Sequence, residues 1–178
     1  MKNHANNNVA TKSKSDNPGN TAMTARQDWI SRIRKLPELL QDAVKGLDDQ
    51  QLNTAYGDGK WTILQLVHHL ADSHMNGFVR MKLVLTEDKP TLKTYEQDEW
   101  ARTRDAQHYP LLSSLHIISG LHERWCNLLE SLPENAWARK AIHSEWGEVT
   151  LENLLKNYAE HGELHVRRIM ELREAKGW

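Results

Sequence analysis

Residues 151–169 read LENLLKNYAEHGELHVRRI, and their spacing decides the fold. Leu151, Leu154, Leu155, Tyr158, His161, His165 and Ile169 recur every three or four positions, the period of one face of an α-helix. Thr150 stands where a capping hydroxyl is needed, and the pattern runs on to Arg173. Two imidazoles therefore occupy a core-facing seam where leucine is the ordinary choice. Side chains four apart on a helix lie one above the other, so His161 and His165 reach a common point, and H-x-x-x-H is a natural two-ligand half of a metal site. One histidine on such a seam is more often a hydrogen-bonded core residue than a ligand. Two of them, with no acid placed to hold them, favour a metal once a third ligand comes from another helix.

The candidates for that third ligand lie in Trp61–Leu85, WTILQLVHHLADSHMNGFVRMKLVL, which carries His68, His69 and His74. Apolar residues cover most of its circumference, with Trp61, Leu64, Ala71, Met75 and Phe78 in one row and Ile63, Leu66, Val67, Leu70 and Met81 on the flank, so the helix is expected to be buried on most sides. What stays polar is a narrow stripe, Gln65, His69, Asp72, Asn76 and Arg80, predicted to face solvent or a lined cavity. His69 belongs to that stripe. His68 falls among the apolar residues and reads as a core histidine, and His74 likewise reads as structural rather than a ligand, able to pack at the helix surface. Asp72 follows His69 by three, where a carboxylate can hydrogen-bond a ligand ring or orient a water, or simply stay solvated.

Two further helices complete the pattern. Thr24 is a candidate cap for a first one carrying Trp29, Ile30, Ile33 and Leu36, with a kink or split expected at Pro37 before Leu39, Leu40, Val44 and Leu47. Leu112, Leu115, Ile118, Leu121, His122, Trp125, Leu128, Leu129 and Leu132 predict a third helix stopped by Pro133, with Cys126 as a small buried hydrophobe. His108, His116, His122 and His143 show no spacing that recruits them and read as structural or exposed. Residues 56–60 form a turn, residues 86–109 a long connection with a short helix within 95–104, and residues 137–147 a loop or brief strand. The prediction is an all-α antiparallel four-helix bundle whose long link between helices two and three permits a crossover.

Composition narrows the function. A chain of 178 residues suits one domain over 21–178, and residues 1–20, rich in Asn, Lys and Ser, read as a mobile tail. With 23 basic and 24 acidic residues, there is no electrostatic case for nucleic acid or an anionic membrane. The seven Trp residues read as packing, since no basic stripe accompanies them. A single cysteine excludes an internal disulfide, and no run approaches a membrane span or a signal peptide, so a cytoplasmic protein is expected.

Three stretches resemble a known family: DGKWTILQLVHHLADSHMNGFVRMKLVLTED, GLHERWCNLLESL and YAEHGELHVRRI. They look like the DinB-like superfamily, in its branch of YfiT-type metal-dependent hydrolases and bacillithiol S-transferases, over about Trp29 to Trp178. HHLADSHMN is the specific match; H-x-x-x-H alone is a weak one. The resemblance implies a four-helix bundle, often a homodimer, holding one divalent metal, Zn or Ni first among the candidates, on His69, His161 and His165. It also implies transfer of a small thiol such as bacillithiol to an electrophilic small molecule. Under that reading Asp72 is a candidate catalytic residue, and Asn76 and Arg80 line the route to the metal, Arg80 able to meet a substrate carboxylate. The Asn-rich extension and Glu160, where relatives often carry an aromatic residue, depart from the pattern, and Glu160 bears on substrate choice. Hydrolysis and non-catalytic metal binding remain open beside thiol transfer.

Overall fold

The computed structural model describes residues 18–178, with side chains from residue 21 onward, so the tail expected over residues 1–20 lies outside the described residues up to position 17. Residues 18–20 already belong to α1, which spans Pro18–Val44 and so starts ahead of Thr24. The split expected at Pro37 is absent. A proline cannot donate to the carbonyl four residues back, here Ile33, and the ring of His122 does so instead, with Nδ1 2.7 Å from that oxygen.

The remaining elements are α2 (Asp49–Leu52), α3 (Ile63–Thr86), β1 (Thr91–Leu92), α4 (Gln97–Trp100), α5 (Arg104–His108), α6 (Leu112–Glu130), a 3₁₀ turn (Glu134–Ala138), β2 (Lys140–His143), β3 (Gly147–Thr150) and α7 (Leu151–Lys176). Thr62 and Thr150 start α3 and α7 with reciprocal caps: each hydroxyl accepts from the amide three residues on, and Gln65 and Asn153 return a side-chain oxygen to the threonine amide.

Around the bundle the long helices follow the order α1, α6, α3, α7, so α1 faces α3 across a diagonal. Two apolar clusters show the directions. One joins Ile30 and Ile33, Met81 and Val84, Trp125 and Leu129, and Leu151 and Leu155; the other joins Leu40 and Val44, Ile63 and Leu66, Leu115 and Ile118, and Ile169 and Leu172. Hence α1 and α7 run together, as do α3 and α6, and the bundle is not antiparallel throughout. Parallel neighbours α3 and α6 require residues 87–111 to return along the whole bundle, which is the crossover the long link allowed. On the way β1 pairs in parallel with β2 (Thr91 opposite Ile142), and β2 turns back against β3 (Ala141 opposite Val149). The brief strand expected near residues 137–147 is thus a hairpin that the crossover joins. Among the described residues no helix is long and apolar enough to cross a membrane.

Between the two apolar clusters lies a layer of imidazoles. Gly162, set between His161 and His165, lets α1 pack closely there, since a Cβ on it would sit 2.3 Å from Leu36 Cδ2. Arg32 of α1 grips Glu163 of α7 with two bonds of 2.7 and 2.5 Å, fixing the same register.

Candidate metal centre

His69 projects from α3 toward His161 and His165 on its antiparallel neighbour α7. The Nε2 atom of His161 lies 3.2 Å from that of His69 and 3.1 Å from that of His165, and one nitrogen from each ring falls within 4.8 Å of the other two. His69 and His165 are buried, and the indole of Trp61 packs on His69 with ring centroids 4.6 Å apart. Burial, then the neighbouring rings and Arg168, push His69 down to about 3 and His165 to about 2; burial, then Arg168, push His161 to about 4. All three rings are therefore neutral at physiological pH. A single proton cannot serve both contacts of His161 Nε2, so three converging lone-pair nitrogens remain, and that donor set fits a divalent transition metal.

The other histidines are placed differently. His68 is satisfied within the protein, Nδ1 2.8 Å from Ser114 Oγ and Nε2 2.9 Å from the Tyr109 carbonyl, a core histidine as its apolar neighbours implied. His74 is fully buried, not at the helix surface, with Trp125 and Tyr158 packed edge-on against it. His122 is buried beside it, with Nε2 2.8 Å from His74 Nδ1. Asn76 spends its amide on the Asp72 carbonyl at 2.8 Å. Asp72 is half-buried, and burial together with Asp105 raises its carboxyl to about 6. Arg80 is buried and held by two bonds, to the Tyr158 hydroxyl at 2.9 Å and the Lys93 carbonyl at 2.7 Å. Cys126 is buried core, its thiol 3.6 Å from the Ile30 carbonyl.

A family model for the DinB superfamily matches residues 24–169. This chain belongs to the DinB superfamily. It is 49% identical over 154 residues, 85% of this chain and 86% of the relative, to a protein of Geobacillus thermodenitrificans named "Putative metal-dependent hydrolase". A protein of Oceanobacillus iheyensis with the same designation is 42% identical over 151 residues, covering 85% of this chain and 87% of the relative. Among solved structures, YfiT from Bacillus subtilis superposes with a TM-score of 0.85 at 36% identity, covering 96% of this chain and 94% of YfiT, and is described as "a probable metal-dependent hydrolase with an unusual four-helix bundle topology".

Two cavities reach the imidazole cluster of this DinB bundle. The first, about 320 Å³, touches His161 and is walled by Arg80, Tyr95, His143, Trp146 and Tyr158. The second, about 420 Å³, touches His161 and His165 and is walled by Tyr56, Lys60, Trp61 and Arg168. Gln97 and Asp98 of α4 belong to both walls, so they stand between the two. Arg80 thus lines a cavity at the cluster, whereas Asp72 and Asn76 line neither. Sequence reasoning missed Tyr95, His143 and Trp146. They sit on the crossover and the hairpin, where periodicity carries no signal, and only an exposed Trp146 stacked on His143 at 4.0 Å marks the wall. Glu160 is exposed, lines neither cavity and lies 3.9 Å from Lys156 Nζ.

Proposed function

We propose that His69, His161 and His165 hold one divalent cation, and that this DinB protein transfers a small thiol, bacillithiol-like in class, to an electrophilic small molecule. The observation that carries the reading is the pair of cavities meeting at His161, because a transfer between two substrates needs two approaches to one centre. When bound, a cation on three neutral imidazoles keeps a coordination position open and stabilises the anionic form of a nucleophile there.

The chain's own residues divide the work between the two sides. Lys60 and Arg168 give the second cavity two cationic groups suited to an anionic thiol compound. Tyr95 and Trp146 offer the first cavity aromatic faces for a flat electrophile, and Trp146 is braced by His143. Arg80, fixed by Tyr158 and Lys93, keeps a guanidinium at that wall. Burial, partly offset by a hydrogen bond with Ser73, and the nearby Asp72 raise the Tyr95 phenol to about 12, so it stays protonated.

Hydrolysis is the second reading, favoured by the names of the relatives. Kinetics separate the two. Thiol transfer expects turnover of an aryl halide only with added thiol, and Arg168→Ala to raise KM for thiol while sparing KM for the halide. A full rate of product release in water alone overturns it in favour of hydrolysis.

A further inference from the structure

The histidine layer contains two buried ring nitrogens without partners, and the bonds around them fix which one carries a proton. His122 Nδ1 lies 2.7 Å from the Ile33 carbonyl that Pro37 leaves without a helical donor. A carbonyl only accepts, so His122 is protonated on Nδ1 and, as a neutral ring, has a bare Nε2. His74 Nδ1 lies 2.8 Å from that bare nitrogen and must donate to it, which leaves His74 Nε2 bare as well. This Nε2 is closed to solvent and has no partner. No acidic side chain bonds either ring among the described residues, and burial favours the neutral form of both.

His161 poses the complementary problem. Its Nε2 faces His69 and His165, so a cation held there takes that lone pair and leaves the proton on Nδ1. His161 Nδ1 is likewise buried and unpartnered. An orphan acceptor and an orphan donor thus sit on adjacent rings. The centroids of His74 and His161 are 5.7 Å apart, against 4.9 Å for His74 and His122, which are bonded. The His74–His161 rings are thus about 0.8 Å farther apart than the bonded pair. His74 is not itself a fourth ligand here, because neither of its nitrogens joins the atoms that lie within 4.8 Å of one another.

We propose that His74 is the positioning residue of the metal centre: its Nε2 accepts the His161 Nδ1 proton, completing a chain from His161 through His74 and His122 to the Ile33 carbonyl. Every donor in this chain points away from the cation. The chain therefore fixes the His161 tautomer that offers Nε2 and makes that nitrogen a better ligand, the role usually filled by a carboxylate or carbonyl behind a metal-bound imidazole. The proposal rests on the assignment of His69, His161 and His165 as ligands.

The test combines zinc titration with ¹⁵N spectroscopy of the histidine rings in the zinc-loaded full chain. Protons are expected on Nδ1 of His161, His74 and His122; a proton on His74 Nε2 overturns the proposal without any variant. His74→Gln keeps both functions, an amide oxygen for His161 and an amide N–H for His122, whereas His74→Phe fills the space with neither. His74→Phe is expected to weaken zinc binding about 10- to 100-fold, as loss of such a partner typically does. His74→Gln is expected to retain most of the affinity. Equal zinc affinity in the two variants, or wild-type affinity in His74→Phe, removes the chain and leaves the metal centre standing. A wild-type protein that binds no zinc removes both.

Discussion

Acidification should unfold the metal-free protein early, and the histidine layer sets the size of the effect. Burial is the first cause that holds His69 at about 3, His122 and His161 at about 4, His165 at about 2, and His74 well below its ordinary value. In the unfolded chain the same rings titrate near 6.5. Below about pH 6.5 the unfolded state therefore binds more protons than the folded one, so stability is full above about pH 7.5 and falls as pH drops through 6.5. A ring kept neutral only by folding loses about 1 kcal/mol between about pH 6.5 and 5.5, which sums to about 4 to 5 kcal/mol over five rings. Asp72, raised to about 6, acts in the opposite direction as a single, half-exposed group. Against a typical total of about 5 to 15 kcal/mol the expected loss is large. With a urea dependence of about 2 kcal/mol per molar, the unfolding midpoint should fall by about 2 M over that pH unit and stay level above about pH 7.5. Circular dichroism through urea titrations of the zinc-free chain measures this directly. A midpoint that moves by less than about 0.5 M across the same interval would refute the claim that these rings are held neutral.

The remaining predictions test single contacts. His161→Ala should abolish the rise in melting temperature on adding zinc, worth about 4 kcal/mol at a thousandfold excess over Kd, because an ion that binds only the folded state stabilises by mass action. His68→Ala should keep that rise and cost about 1 to 3 kcal/mol, since Ser114 and the Tyr109 carbonyl lose their ring partner; loss of zinc binding there would move the α3 ligand from His69 to His68. Gly162→Ala should destabilise by about 1 to 3 kcal/mol through the clash with Leu36, and the double variant with Leu36→Ala should recover part of the Gly162→Ala loss in chemical denaturation. Arg80→Met should free the crossover at Lys93, seen as faster amide exchange over residues 87–111, while zinc affinity stays near wild type.

What could be read from the sequence was what is local. The cap at Thr150 needs only a hydroxyl and a partner three residues on, and it stands in the sequence as it does in the fold. The seam of α7 was legible because burial imposes a period on one helix. His69 stood out from His68 by the same logic: one lies on a polar stripe and the other among leucines, and the bonds of His68 to Ser114 and Tyr109 show what an apolar flank asks of an imidazole. Apart from the early start of α1, the failures involve a distant partner. A split of α1 at Pro37, one of the two outcomes expected there, does not occur, and the ring that satisfies the Ile33 carbonyl comes from 89 residues away in sequence. His74 was read as structural, but the surface packing open to it is not what it does, because nothing near it in sequence announces His122, Trp125 and Tyr158. The pairing of β1 with β2 and the cavity walls at Tyr95 and Trp146 depend on how the crossover returns, which helical period does not encode.

That distance dependence explains why the layer is built of histidine at all. Leucine at positions 74, 122, 161 and 165 would join the two apolar clusters into one continuous core, whereas each neutral imidazole brings one donor and one acceptor that burial leaves costly if unpaired, at about 1 to 3 kcal/mol each. His74 and His122 are closed off from solvent by the clusters on either side, so water cannot supply their missing partners. Two sinks lie at the ends of the layer: the Ile33 carbonyl that Pro37 frees, and a cation shared by His69, His161 and His165. A ring midway between them can satisfy both sides only if all its bonds run in the same direction, and His74, with Nδ1 committed to His122 and Nε2 bare, has the one tautomer that allows it.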